Sequence, residues 1–282
     1  MTLRGRIKRC RIWLIAAGFA AAGAGQARAV DLGPVAPDAD FTAFQITTTL
    51  FNTPPGERAN FAGHDLTYLD LSNLDFKGAL LARSDFYGTD FTAANLSGAD
   101  LTGTRLDRSV LIRANLSGAN LTGATIYRPT IYADEKSTLS DAPKFSGANL
   151  TSISVQADLS GADFRGADLT DANFSPLEAR PGKGTLTTQP SNILRSCDFS
   201  GARMTNADMT RAFLTFSRFT GADVRGAKFN NADLTKADFT GADVSGADFT
   251  GADVYDTNFV GARGLETAIG LDHAVNADKA RR

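Results

Sequence analysis

The sequence predicts an all-β solenoid in which the chain turns a corner every five residues. Large apolar residues recur at every fifth position without a miss over two long runs, from Phe61 to Ile131 and from Leu194 to Phe259. The residue two positions before each of them is small in most units. A period of five fits neither a helix at 3.6 residues per turn nor a strand at two. We therefore expect four five-residue sides to close a square coil of about twenty residues.

Residues 1–29 are predicted to be a bacterial secretory signal peptide. Basic residues crowd the first eleven positions, an apolar run follows from Ile12 to Gly25, and Ala27 and Ala29 form a small-x-small cleavage pattern. The apolar run is shorter than the roughly 20 residues that a membrane-spanning helix needs. We therefore expect cleavage, export to the periplasm and no stable membrane association afterwards.

Residues 30–56 are expected to form a loose leader followed by an N-terminal cap or a degenerate first coil. Phe41, Ile46 and Phe51 keep the five-residue spacing of the main repeat. The segment Pro54-Pro55-Gly56 then interrupts the pattern, since proline and glycine break regular structure.

Residues 57–263 are the predicted repeat domain, in which the large residue of each unit faces the axis of the coil. The small residue also faces inward, where close packing leaves no volume for a larger one. Successive coils are expected to stack through backbone hydrogen bonds at roughly 4.8 Å. The predicted structural core includes one column of Phe199, Phe219, Phe239 and Phe259, a facing column with Phe229 and Phe249, and Leu96 and Leu116 in the N-terminal half.

Two interruptions of the repeat, 132–144 and 175–193, are predicted to be protruding loops. Loops on a rigid scaffold often carry recognition, and an insertion without a partner is the alternative. The five-residue spacing ends after 263. Because the open end of a solenoid needs a cap, we expect a short helical cap and a basic tail over 264–282.

The units resemble those of the pentapeptide-repeat family, whose pattern reads A-[DN]-[LF]-[ST]-x. Matching units include Ala94-Asn95-Leu96-Ser97-Gly98, Ala119-Asn120-Leu121-Thr122-Gly123, Ala167-Asp168-Leu169-Thr170-Asp171 and Ala237-Asp238-Phe239-Thr240-Gly241. The resemblance implies a right-handed quadrilateral parallel β-helix.

Motifs of common enzymes are missing from the sequence: there is no G-x-S-x-G, no H-E-x-x-H, no phosphate-binding Gly-Lys loop and no dinucleotide fingerprint. The two histidines, His64 and His273, lie near opposite ends of the chain. We therefore expect no enzymatic activity, no cofactor and no dedicated metal site. Cys197 occupies an alanine slot and is expected to be buried.

The aspartates that precede the core residues are the candidate docking surface. Asp223 and Asp243 should stack in neighbouring coils, as should Asp233 and Asp253. Like charges at close range predict raised pKa values, but a flat outer face offers no pocket for catalysis. We interpret these acidic rows as a solvated surface suited to protein docking, with a weak calcium site as the alternative.

Two functions fit these observations. The first is an exported, non-enzymatic scaffold that binds an unknown protein, or a second copy of itself through the solenoid ends. The second follows from the resemblance, because some members of the family are acidic rods that imitate duplex DNA and bind type II topoisomerase. Removal of 1–29 would leave 23 basic and 31 acidic residues, a net charge of −8, which argues against nucleic acid as a partner. The signal peptide favours the first function, since the topoisomerase is cytoplasmic.

Overall fold

A computed structural model describes residues 39–76, 78–132, 139–176 and 191–282 of the chain. All of these residues belong to one compact unit, Pro34–Arg282. The predicted signal peptide with Ala27 and Ala29, the leader, and most of both predicted loops lie outside the described residues. Among the described residues, no helix combines the length and apolar character needed to cross a membrane.

Parallel backbone bridges join residues twenty positions apart through most of this unit. Asn60 pairs with Leu80, Leu80 with Asp100 and Asp100 with Asn120. Three further ladders run in the same way, so that each five-residue side of the coil has its own ladder. The Phe61 amide donates to the Leu80 carbonyl at 2.8 Å, and the Leu80 amide donates back to the Ala59 carbonyl at 2.8 Å. Each coil thus provides hydrogen-bond partners for the backbone amides and carbonyls of the next coil. This arrangement is a parallel β-helix.

Phenylalanine rings fill the interior of the C-terminal half. Phe219 stacks on Phe239 with ring centroids 4.4 Å apart, and Phe229 stacks on Phe249 at 5.2 Å. Edge-to-face contacts join the two columns, as between Phe229 and Phe239 at 5.6 Å and 90°. The residues assigned to the core from the sequence are all 0% exposed: Phe199, Phe219, Phe229, Phe239, Phe249, Phe259, Leu96 and Leu116.

The ladders continue across both interruptions of the repeat. Strand β1, Thr125–Tyr127, pairs in parallel with strand β2, Ser154–Gln156, across the first interruption. Across the second, Asp158 bridges Ile193, 35 positions further along the chain. Both interruptions therefore leave the stacking register of the coils intact.

A helix covers the N-terminal end of the coil. Helix α1, Ala43–Asn52, begins with a capping box in which Thr42 and Gln45 bond each other's backbone amides. Ile46 and Leu50 are buried against the core, whereas Phe51 is 82% exposed. The described part of 30–56 is thus a capping helix and not a degenerate coil. Phe51 shares the five-residue spacing but lies on the outer face of the helix, because a helical period aligns Ile46 with Leu50.

The C-terminal segment extends the ladders instead of folding over them. It leaves the five-residue period as expected, but its bridging residues Arg263, Ile269, Val275 and Arg281 follow one another every six residues. A short 3₁₀ turn fills each side: Leu265–Thr267, Leu271–His273 and Ala277–Lys279. The expected helical cap is therefore a wider final coil built from 3₁₀ turns.

Candidate functional site

The aspartates on the outer faces hold the corners of the coil. An oxygen of Asp243 accepts hydrogen bonds from the Ser245 amide at 3.1 Å and from its hydroxyl at 2.6 Å. Asp233 accepts from the Thr235 amide at 3.0 Å in the same way. This is an Asx turn, which mimics a backbone turn. An acceptor in this slot therefore has a structural role, whatever the surface binds.

The four aspartates of the predicted docking surface lie on two different ladders. Asp223 bridges Asp243 on one ladder, and Asp233 bridges Asp253 on another. Ten residues, or two sides of the coil, separate Asp223 from Asp233. The structure thus places them as two separate pairs, each stacked along the axis, and not as one patch.

Hydrogen bonds and nearby cations lower the pKa values of Asp223 and Asp243, one of the pairs that were expected to repel each other. Arg225 donates to both carboxylate oxygens of Asp223 at 2.7 Å, and this pair of hydrogen bonds lowers the pKa of Asp223. Hydrogen bonds from Ser245, with the charges of Arg263 and Arg225 behind them, lower the pKa of Asp243. The expectation of raised pKa values was wrong for this pair, because hydrogen-bond donors and nearby arginines outweigh the like charge.

Similar ion pairs tie one coil to the next elsewhere on the surface. Arg105 donates hydrogen bonds from Nε and Nη2 to the two carboxylate oxygens of Asp85, at 2.8 and 2.5 Å. Arg203 contacts both oxygens of Asp168. Burial raises the pKa of Asp168, but hydrogen bonds from Arg203 and Thr170 outweigh it and bring the value to about 2. The outer faces therefore present fixed charges of both signs.

The remaining reactive side chains have structural partners. His64 lies 3.0 Å from Asp40, and Asp40 also accepts the Asp65 amide at 2.9 Å, so the pair joins the N-terminal cap to the first coil. The Cys197 thiol donates to the Leu159 carbonyl at 3.2 Å, and burial raises the pKa of this thiol. Among the described residues, no group of three or more histidine, cysteine, aspartate or glutamate side chains is placed to hold a metal ion.

Sequence reasoning missed an exposed group of aromatic and basic side chains, which we call the aromatic patch: Arg195, Arg211, Phe213, Phe216 and Lys236. Phe213 and Phe216 are 37% and 57% exposed. Arg195 lies over the ring of Phe213 at 5.6 Å, and Lys236 over the ring of Phe216 at 5.4 Å. The signal was present in the sequence, because Phe213 stands in a slot that the repeat usually fills with aspartate or asparagine.

Comparisons with known proteins agree with this architecture. The family model for pentapeptide repeats matches eight copies, over residues 59–98, 89–126, 144–175, 194–226 and 227–263. No curated protein sequence matches the chain.

Solved structures that match this chain include HetL, a pentapeptide-repeat protein involved in heterocyst differentiation regulation from the cyanobacterium Nostoc sp. strain PCC 7120. HetL is 28% identical, with 82% of this chain and 95% of HetL covered and a TM-score of 0.42. Full-length QnrB1, a plasmid-mediated fluoroquinolone resistance protein, is 18% identical, with 73% and 92% covered and a TM-score of 0.37. Because the family model alone spans more than half of the sequence, the chain belongs to the pentapeptide-repeat family.

Proposed function

We propose that this chain is an exported, non-enzymatic scaffold that binds another protein through the outer faces of a right-handed, four-sided coil. The observation that carries the proposal is the fixed placement of charge on those faces. Asp223 is held by Arg225, and Asp243 by Ser245, so both carboxylates are positioned before any partner arrives. Groups that are ordered in advance lose little entropy on binding.

The two aspartate pairs are the proposed docking sites. Asp223 and Asp243 on one ladder, and Asp233 and Asp253 on the other, repeat at the coil spacing. A partner with basic side chains facing Asp233 and Asp253, and with acceptors facing Arg225 and Arg263 beside Asp223 and Asp243, would find complementary charge along the axis. The loops 132–144 and 175–193 and a second copy joined at the solenoid ends are further contacts compatible with the same scaffold.

Export is supported by the sequence of residues 1–29, with its basic, apolar and small-residue regions. The test is to express the full chain in a bacterial host, separate periplasm from cytoplasm and determine the N-terminal sequence of the protein. We expect a periplasmic protein that begins at Val30. A cytoplasmic protein that retains residues 1–29 would contradict export and favour the alternative, an acidic mimic of DNA that binds type II topoisomerase.

Docking is tested on the same exported protein by cross-linking and mass spectrometry of what it captures. Replacing all four aspartates with asparagine keeps the corner hydrogen bonds, as Asn95 and Asn115 do in equivalent slots, but removes the negative charge. We expect this variant to lose a partner that the wild type captures. The matched control is Asp100→Asn, on an earlier coil. In the wild type, the Asp100 carboxylate accepts a hydrogen bond from the Thr102 amide at 3.1 Å. If the wild type, the fourfold variant and Asp100→Asn capture the same partner equally well, the aspartate pairs are excluded as the docking site.

A further inference from the structure

One ladder of the coil carries more apolar residues in its outward slot than the other three. Its slot before the core residue holds Val110, Thr130, Ile193 and Phe213 along with aspartates. Phe213 cannot accept the amide hydrogen bond that aspartate or asparagine provides in this slot, and its ring is 37% exposed. The substitution therefore sacrifices a corner contact and places apolar surface in water, both of which are unfavourable for the isolated protein.

Phe216 makes a second, independent departure in the same coil. It has a φ of 61°, in the left-handed region, and its side chain is 57% exposed. The equivalent position two residues after the core residue is glycine at Gly201, Gly221 and Gly241. The corners on the same side of the neighbouring coils, Ser196, Lys236 and Asp256, also have positive φ values but carry polar side chains, so the exposed ring and not the backbone conformation is unusual here. Folding alone does not explain an exposed aromatic residue here.

Two exposed cations lie over these two rings, and a third exposed cation is close to them in sequence. Arg195 and Lys236 lie over Phe213 and Phe216, and Arg211 precedes Phe213 by two residues. Arg203 and Arg225, on other faces, contact aspartates directly. Within the described residues, by contrast, no carboxylate lies within 4.0 Å of the charged group of Arg195, Arg211 or Lys236. The patch thus combines apolar surface with positive charge that forms no ion pair with a described acid.

We infer that the aromatic patch docks a short acidic segment of a partner protein that also carries an apolar side chain. The inference rests on the proposed scaffold function and specifies the chemistry of one partner. Aromatic and arginine side chains are the residues that most often dominate binding energy at protein interfaces. An arginine stacked on a ring still presents the donors at the edge of its guanidinium to a carboxylate.

The neighbouring ladder positions limit the length of the docked segment. Asp158 bridges Ile193 on one side, and Asp233 bridges Phe213 on the other. Both carboxylates would repel an acidic chain that ran along this ladder past Ile193 or Phe213. The segment 177–190 of the chain itself carries two basic residues and one acidic residue, so its charge does not suit the patch. The segment 133–138, with two acidic residues and one basic residue, is the internal competitor to test.

The test uses labelled synthetic peptides and fluorescence anisotropy with the full chain. One peptide alternates aspartate or glutamate with leucine or phenylalanine, and its matched peptide has asparagine and glutamine in place of the acids. We expect the acidic peptide to bind at least about tenfold more tightly than the neutral one, with affinity that falls as salt rises. Equal affinity for both peptides would overturn the inference.

The informative variant combines Phe213→Asn with Phe216→Gly, which restores the residues that the repeat uses elsewhere in these slots. We expect it to melt no lower than the wild type and yet to bind the acidic peptide at least about tenfold more weakly. The matched control is Tyr255→Thr, which removes another aromatic side chain, 46% exposed, from the same side of the coil. Unchanged binding by the double variant would show that the patch is not the docking site.

The internal competitor is tested by Asp134→Asn combined with Glu135→Gln. Tighter peptide binding by this variant than by the wild type would assign the patch to the chain's own segment and overturn the inference. The two proposals fail separately. Equal binding of the acidic and neutral peptides would contradict the aromatic patch as a docking site but would not contradict the scaffold function or its aspartate pairs. A cytoplasmic, uncleaved protein would contradict export but would not change the peptide result.

Discussion

At the scale of single residues, hydrogen bonding explains the repeated aspartate better than charge does. Asp243 accepts the Ser245 amide at 3.1 Å, and Asn95 accepts the Ser97 amide at 3.2 Å in the equivalent slot of another coil. Because both side chains offer a carbonyl oxygen at the same position, the slot tolerates either. The negative charge is then available to be paired, as it is at Asp168 and Arg203.

The ion pair at Asp168 predicts a defined loss of stability in acid. Its folded-state pKa of about 2 lies below the ordinary value of about 3.9. The pair therefore stabilises the folded state above about pH 4, and this contribution is lost as the pH falls towards 2. Asp168→Asn keeps the corner hydrogen bond to Thr170 but removes the charge. We expect the variant to be less stable at pH 7 by less than about 1 kcal/mol, with a difference from wild type that disappears near pH 2.

Urea unfolding at pH 7, 4 and 2.5 measures this difference. Asp208→Asn is the matched control, because Asp208 accepts the Thr210 amide at 3.0 Å but its cation, Lys228, is 4.0 Å away. A constant gap between wild type and Asp168→Asn across the three pH values would mean that the pair contributes nothing through protonation.

At the scale of the structural element, the stacked rings add cohesion between coils to that of the backbone ladders. Phe239 lies 4.4 Å from Phe219 and 5.1 Å from Phe259 by ring centroids, with Phe229 and Phe249 edge-on. Phe239→Ala should lower the free energy of unfolding by about 3–5 kcal/mol, since it opens a cavity between three coils. Phe239→Asp should cost more and unfold several coils, because it buries an unpaired carboxylate.

Thermal melts followed by circular dichroism test this expectation. Phe51→Ala is the control, because Phe51 is 82% exposed on helix α1 and its loss should leave the melting temperature nearly unchanged. A melt of Phe239→Asp that superimposes on the wild type would contradict the position of this ring in the interior.

The elements differ in how far the sequence could predict them. The inward position of Phe239 follows from the five-residue spacing, because each side of the coil has only one place for a large side chain. Helix α1 could not be found in this way, since Phe41, Ile46 and Phe51 share the spacing by coincidence and the capping box at Thr42 decides the local structure. The final coil was not predicted, because its period is six residues instead of five. The residues that precede its three 3₁₀ turns, Gly264, Gly270 and Asn276, nevertheless share left-handed φ values of 78°, 70° and 59°.

The candidate sites were less predictable than the fold. The fall in the pKa of Asp223 depends on the rotamer of Arg225, which sequence spacing does not give. The aromatic patch depends on stacking across coils, which brings Arg195 over Phe213 from eighteen residues away. Phe213 alone was visible as an exception in its slot, but its meaning required the exposed rings and the cations around them.

At the scale of the whole coil, the two ends of the ladders are finished differently. The N-terminal end is covered by helix α1, whose Ile46 and Leu50 are 0% and 4% exposed. The C-terminal end continues the ladder through Ile269, Val275 and Arg281, and among the described residues no α-helix lies beside it as α1 does at the other end. An uncovered ladder offers a template for pairing with another chain. The helix should therefore keep the N-terminal end from association, while the C-terminal end is the one better suited to pair with a second copy.

Removing the apolar contacts of helix α1 tests this asymmetry. Ile46→Ser combined with Leu50→Ser removes two buried side chains worth roughly 3 kcal/mol or more together, so the helix should detach and uncover the first coil around Phe61. We expect a lower melting temperature and a larger mass by light scattering, through association at the freed end. The matched control on the same helix, Phe44→Ser with Phe51→Ser, removes two side chains that are 62% and 82% exposed and should change neither quantity. If the first double variant keeps the wild-type mass while its melting temperature falls, the helix stabilises the end without blocking association, and self-pairing of the coil at this end is excluded.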